Sequence, residues 1–338
     1  MIKGKSHPPL GTVLGILSLM LVLERAPAQE KPAPAQAPGA GVAQTQPSAP
    51  KLDRLRLQIE RLIAREDGLV GVAVKHLESG LALAVNGDTP FPMASTFKVP
   101  ILVELLFQVK EGRIRLDDEI SVQASDQHTG SGLISKLAAP GIKLSVLNTA
   151  HLMMMISDNS ATDILLEKVG AANINARLKG LGIEGISVNR SCQKLIGDLR
   201  ALYEGAKTPE DARAAVIKFS ADPQDQATPL AMNALLEKVF RKEIIDPASC
   251  DLMVEIMLKC ETGGQRIPGD LPRDTKLAHK TGTIPGTVND CGIIFLPDGA
   301  GTVALTVFTK NFTEDTSDVE RVIAKIAKFV YDCFYFTM

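Results

Sequence analysis

The stretch that most constrains this chain is Ser95-Thr96-Phe97-Lys98. A turn-prone, proline-broken approach, Pro90-Phe91-Pro92-Met93-Ala94, runs straight into the apolar run Val99-Pro100-Ile101-Leu102-Val103-Glu104-Leu105-Leu106. This pattern predicts Ser95 at or near a helix start, with Lys98 one turn further on and on the same face. A serine hydroxyl is a poor nucleophile until a neighbouring base takes its proton, and a desolvated lysine one turn away can be that base. The helix start also points backbone N–H groups at any negative charge that develops there.

The tetrad alone also describes a capping serine followed by a solvated lysine. Ser191-Cys192-Gln193-Lys194 is a second copy. What separates the first copy from the second is its company: Ser157-Asp158-Asn159 and Lys280-Thr281-Gly282 follow it in that order.

The 338 residues carry a net charge of −2 and are 45% hydrophobic. That is enough to bury a large core in one large domain or two interleaved ones, and the balanced charge gives no sign of a nucleic-acid partner. Residues 1–28 read as a secretory signal. Lys3 and Lys5 open it, Leu10 to Leu23 is an uncharged apolar stretch, and Ala26-Pro27-Ala28 is a small-x-small cleavage site. An uncleaved anchor is the alternative. Residues 29–50, rich in Pro, Ala and Gln, predict a disordered tether. The rest of the chain would then work outside the cytoplasm, secreted or periplasmic, with no stable membrane partner after cleavage. The cysteines Cys192, Cys250, Cys260, Cys291 and Cys333 could pair there, and their odd number leaves at least one unpaired.

Helical spacing marks Leu52 to Arg65 as an amphipathic first helix. Val70 to Lys75 and Leu81 to Val85 read as a hairpin around Glu78-Ser79-Gly80. Leu116 to Ser125 reads as extended, and Gly130-Ser131-Gly132 as a flexible loop. Helices are predicted over Leu144 to Ile156, Ser160 to Val169, Ala172 to Leu178, Pro229 to Ile244 and Pro247 to Lys259. Met153-Met154-Met155 belongs to the core rather than to a ligand site. Ile183 to Asp225 is long and mixed. Leu277 to Thr283, Asp290 to Phe295 and Thr302 to Lys310 are strands, and Ser317 to Phe334 is a last amphipathic helix. Strands therefore come from both ends and helices fill the middle. The expected fold is α+β: a five-stranded antiparallel sheet (residues 51–93 and 273–338) covered by the terminal helices, with an inserted helical part (94–272).

Over about residues 51–338 the chain resembles the class A β-lactamases, within the penicillin-recognising serine hydrolases. The resemblance rests on the three motifs together. It implies that Ser95 attacks a carbonyl and forms an acyl-enzyme, and that Lys98 activates it. It implies that Ser157 relays a proton to the leaving nitrogen beside the charge of Lys280. Asn159 would hold the substrate's side-chain amide and Asp158 would be an anchor. Thr281, Gly282 and Thr283 would line the substrate, with the oxyanion between the backbone N–H groups of Ser95 and Thr283. The arginine that takes the substrate carboxylate in many relatives would fall near Asn289 and is missing. Arg266 stands where a substitute does.

The chain departs from the resemblance in its middle. Arg190 matches the family's loop arginine, and Asp225 could close that loop. The hydrolytic glutamate would then fall on Cys192 and its asparagine on Ile196, in a loop longer than the family's. Glu204, Glu210, Asp211 or Asp222 could fold back to replace the glutamate. Cys192 could be a small apolar residue, a disulfide partner, or a nucleophile if Arg190 or Lys194 lowered its pKa. The five histidines fit no metal spacing, His279 reads as strand filler, and neither a metal nor a cofactor is implied. The expected partner is a small β-lactam or a cell-wall peptide, bound by a monomer. The leading activity is β-lactam hydrolysis. The alternatives are a D,D-peptidase, or a module that is acylated and stays so.

Overall fold

The computed structural model describes residues 50–336. The expected leader lies outside them, as does the tether up to residue 49.

The sheet forms from β1 (Leu69–His76), β2 (Ala82–Val85), β3 (Lys276–Ile284), β4 (Thr287–Phe295) and β5 (Thr302–Lys310), in the order β2-β1-β5-β4-β3. All neighbours are antiparallel. β5 is central because nearly all of its residues are buried, which suits a strand covered on both faces. It pairs β1 with Val72 opposite Val307, and β4 with Asp290 opposite Val307. The chain's two ends thus meet along one strand.

On one face, α1 (Pro50–Ile63) and α10 (Thr316–Tyr335) cover the sheet. α1 buries Leu52, Leu55 and Ile59, and α10 buries Val319, Ile323, Ile326, Val330 and Phe334 at helical spacing. The expected five-stranded sheet with terminal helices is what the structure has.

The other face meets the helical part. At its centre lies α2 (Lys98–Lys110), which buries residues all round, among them Ile101, Leu102, Leu105 and Leu106. Pro100 is tolerated because it sits in the first turn, where no intrahelical N–H bond is lost. Around α2 pack α3 (Val146–Met155), α4 (Asn159–Val169), α5 (Ala171–Gly180) and α9 (Pro247–Leu258), while α8 (Pro229–Phe240) packs on α9 and the sheet strands β1, β4 and β5. Met153 and Met154 are core residues.

Three expectations change. Of Leu116 to Ser125, only Glu119–Ser121 is a strand, paired with Lys143–Ser145. That pairing takes the first residues of the helix expected from Leu144, and Ser145 instead caps α3 by accepting from Asn148 N–H. The helix from Pro229 stops at Phe240, because Lys242 turns into the left-handed region at φ 60°. The mixed stretch Ile183 to Asp225 folds into α6 (Cys192–Tyr203) and α7 (Pro209–Ser220).

Candidate active site

Ser95 lies in a 3₁₀ turn, Ala94–Phe97, that feeds directly into α2. The turn is held from below. Asn289 on β4 donates through Nδ2 to the carbonyls of Pro92 and Met93, at 2.8 and 3.1 Å. Gly282 on β3 lies so close that a Cβ there would sit 2.9 Å from Ser95 N and 2.6 Å from Met93 O. Only glycine allows this approach of strand to turn, which brings Thr283 beside the Ser95 backbone.

Lys98, at the first position of α2, is fully buried. Its Nζ lies 3.2 Å from Ser95 Oγ, 2.8 Å from Ser157 O, 2.9 Å from Ser157 Oγ and 3.2 Å from Asn159 Oδ1. Burial lowers its pKa, against the opposing charges near it. A neutral amine has two N–H groups and one lone pair. Ser157 O and Asn159 Oδ1 can only accept, so they take the N–H groups, and the lone pair is left for the proton of a serine hydroxyl.

Ser157 holds a φ of 57°, a strained position for a non-glycine residue, and Ala94 beside Ser95 holds 47°. Such conformations cost of order 1–3 kcal/mol each and persist only where the surroundings impose them. Here Lys98 grips both Ser157 O and Oγ. From the other side Lys280, fully buried on β3, donates to Ser157 Oγ at 3.1 Å and to Thr281 O at 2.9 Å. Burial, and then the charge of Lys98, push Lys280 down to about 7. Once Lys98 has taken a proton it has a third N–H for Ser157 Oγ, so both Oγ lone pairs then face donors and the Ser157 proton is the one directed into the cleft.

Asp158 caps α4 by accepting from Ala161 N–H at 2.9 Å, and it also accepts from Leu133 and Ile134 N–H. It therefore ties the Gly130–Gly132 loop to the serine rather than facing the cleft. Thr281 Oγ1 lies 2.5 Å from Thr262 Oγ1.

Arg266 reaches this end of the cleft from behind. It is 5% exposed. Nε pairs with Glu320, Nη1 donates to Gly282 O and Asn289 O, and Nη2 donates to Thr283 Oγ1 at 2.6 Å. That uses four of its five donors, leaving one N–H of Nη2 beside Thr283.

The expected loop closure is present as an ion pair. Arg190 Nε meets Asp225 Oδ2 at 2.6 Å, and Nη1 also meets Asp222 at 2.9 Å and Asp198 at 3.2 Å. The second Ser-x-x-Lys copy is a helix cap: Ser191 Oγ accepts from Lys194 N–H, and the Lys194 amine pairs with Asp198.

Cys192, at the start of α6, is buried and close enough to Lys98 for their charges to interact. Burial pushes its thiol up to about 12, so the nucleophilic thiolate expected as one option does not form there at neutral pH. Nor is it a disulfide partner, since all five cysteines are free of disulfides. The relocated carboxylate is not supported either. Asp222 is bound to Arg190, Asp211 closes a capping box with Thr208 on α7, and Glu204 and Glu210 are exposed. Among the described residues no carboxylate hydrogen-bonds Ser95, Lys98 or Ser157. Sequence reasoning missed Asp163, a buried acid on α4 that accepts from the N–H groups of Cys192 and Gln193 at 2.6 and 3.0 Å. Its one signal is an acid set among Ala161, Leu165 and Leu166, all buried.

A five-stranded antiparallel sheet, an inserted helical part and a buried Ser-Lys-Ser-Lys array at their junction define a serine hydrolase of the class A type. The profile of the Beta-lactamase enzyme family matches residues 54–334, and the chain belongs to that family. It is 28% identical to beta-lactamase VEB-1 of Pseudomonas aeruginosa over 296 residues, covering 83% of this chain and 90% of that one. A beta-lactamase structure from Chitinophaga pinensis superposes with a TM-score of 0.72 at 30% identity, over 82% of this chain and 98% of the other. A mutant of PBP-A, solved as its acyl-enzyme complex with penicillin G, superposes with a TM-score of 0.71 at 28% identity, over 84% and 97% of the two chains.

Proposed function

We propose that this protein opens β-lactam rings through an acyl-enzyme on Ser95 and releases the product slowly. The observation that carries the reading is the convergence of Lys98 and Lys280, two buried amines, on Ser157 Oγ, with Ser95 Oγ beside the first. Neutral Lys98 takes the Ser95 proton as Oγ attacks the ring carbonyl. The backbone N–H groups of Ser95 and Thr283 receive the oxyanion, whose charge exists only in the transition state. Ser157 gives its proton to the ring nitrogen as the C–N bond breaks and recovers one from Lys98. Asn159 holds the side-chain amide. Thr281, Thr283 and the free N–H of Arg266 take the substrate carboxylate. Deacylation needs a base for water, and the nearest candidate position holds Cys192, a neutral thiol.

A leader at residues 1–28 would place the protein outside the cytoplasm, where such substrates are met. Among the described residues no carboxylate hydrogen-bonds Ser95 or Lys98, which also favours a second reading, a D,D-peptidase or a sensor that stays acylated, and the PBP-A likeness points the same way. Stopped-flow kinetics with a chromogenic cephalosporin tests these. A burst of one equivalent followed by slow turnover is expected. Fast turnover without a burst refutes slow release, and the absence of any Ser95 adduct by mass spectrometry refutes the acyl-enzyme.

A further inference from the structure

Behind Lys280 lies a cluster that this chemistry does not use. His279 is buried on β3, and its Nδ1 lies 2.9 and 3.1 Å from the two oxygens of Asp290, fully buried on β4. On its other side the imidazole faces Cys260, near enough for their charges to interact; Cys260 follows the end of α9 and is only partly buried. Cys260 Sγ is 3.3 Å from Thr262 Oγ1, and that hydroxyl is 2.5 Å from Thr281 Oγ1 in the cleft. The His279–Asp290 pair thus flanks Cys260 on the core side, and Thr262 and Thr281 link its sulfur to the carboxylate end of the cleft.

Carboxylate, imidazole and thiol in this order are how a sulfur nucleophile is activated. We propose that Cys260, His279 and Asp290 form a second reactive centre, a thiol site for soft electrophiles, small disulfides first among them, whose occupation disturbs the Thr262–Thr281 end of the cleft. The Cys260 sulfur attacks one sulfur of the disulfide. That S–S bond breaks, a mixed disulfide forms on Cys260, and the other half leaves as a thiolate that is protonated by solvent. Thiols and disulfides are conserved in number.

The other cysteines provide the contrast. Burial pushes Cys192 up to about 12, raises Cys291 well above the ordinary value, and raises Cys250 and Cys333. Burial would raise Cys260 too, but His279, with Lys280 and Thr262, outweighs it and brings the thiol down to about 7. Burial disfavours the His279 imidazolium, yet Asp290 and then Cys260 hold it up to about 10. The charged and titratable groups facing this thiol are thus His279, Lys280, Asp290 and Cys291.

The coupling to the cleft rests on the proposed function; the thiol reactivity does not. The test uses the full chain, reduced and desalted, mixed with an aromatic disulfide that releases a coloured thiolate. One equivalent should react fast, map to Cys260 by peptide mass spectrometry, and show a rate that rises with pH through a midpoint near 7, as the thiolate forms. His279→Gln should move that midpoint up towards the ordinary thiol value of about 8.5, a shift that a structural role alone would not produce. If that variant does not fold, the wild-type profile still decides. A fast thiol elsewhere, or none, overturns the proposal. Capped protein should acylate Ser95 about tenfold more slowly with penicillin, the loss of one hydrogen bond. An unchanged rate overturns the coupling. If uncapped protein is never acylated while Cys260 still reacts, the functional reading fails and the thiol site stands.

Discussion

Replacing Cys192 by Glu should convert slow release into turnover. The side chain at 192 starts α6, close to Lys98 and on the loop that Arg190 and Asp225 hold against the cleft. A positioned general base contributes about 10²–10⁴-fold, which is roughly 2.7–5.5 kcal/mol off the barrier. Two features of the structure reduce this. Cys192 is 5% exposed, so a longer side chain must displace its neighbours, at roughly 1–3 kcal/mol. Asp163 on α4 already sets a second carboxylate against the start of α6, although the N–H groups of residues 192 and 193 engage it. The expected gain in deacylation is therefore about 10²-fold, near the lower end of that range. Adding Ile196→Asn should raise it further by orienting the water. The assay is the decay of the penicillin adduct by intact-mass spectrometry, beside the steady rate with a chromogenic cephalosporin. Acylation at the wild-type rate serves as the folding control. A variant that acylates normally yet loses its adduct no faster refutes the argument that the missing base limits release.

The adduct itself should map to Ser95 and vanish in Ser95→Ala; persistence, or mapping to Ser191, would refute the nucleophile. Arg266→Ala should slow acylation by a charged β-lactam about 10- to 100-fold, with little loss for its methyl ester; equal losses would make Arg266 purely structural, through Gly282, Asn289 and Glu320. Acylation should depend on pH through both buried amines: it rises as depressed Lys98 loses its proton, and falls as Lys280 loses its charge around its value of about 7. A rate flat from pH 5 to 9 would contradict that assignment. Asp225→Ala leaves the Arg190 guanidinium buried and short of its closest partner, so it should cost about 3–5 kcal/mol in urea unfolding. A loss below about 1 kcal/mol would show that Asp198 and Asp222 suffice.

What the sequence by itself determined is whatever depends on short separations. Alternation and turn residues locate β3, β4 and β5, and helical spacing locates α1 and α10, because these signals repeat every two to four residues. The Ser95–Lys98 pair is legible for the same reason, and so are the two later motifs once all three are seen together. The tertiary structure alone decided which partners these groups find. Lys280 meets Ser157 across 123 residues and Arg190 meets Asp225 across 35, and nothing local encodes either contact. It also decided that Ser191 and Lys194, with the same spacing as Ser95 and Lys98, form only a helix cap, with the lysine side chain exposed. A lysine works as a base only where burial strips its water, and burial belongs to the fold rather than to the spacing. His279 shows the limit most plainly. As a strand residue it reads as filler, but the register of β3 on β4 sets it against Asp290, and the end of α9 brings Cys260 to its other side.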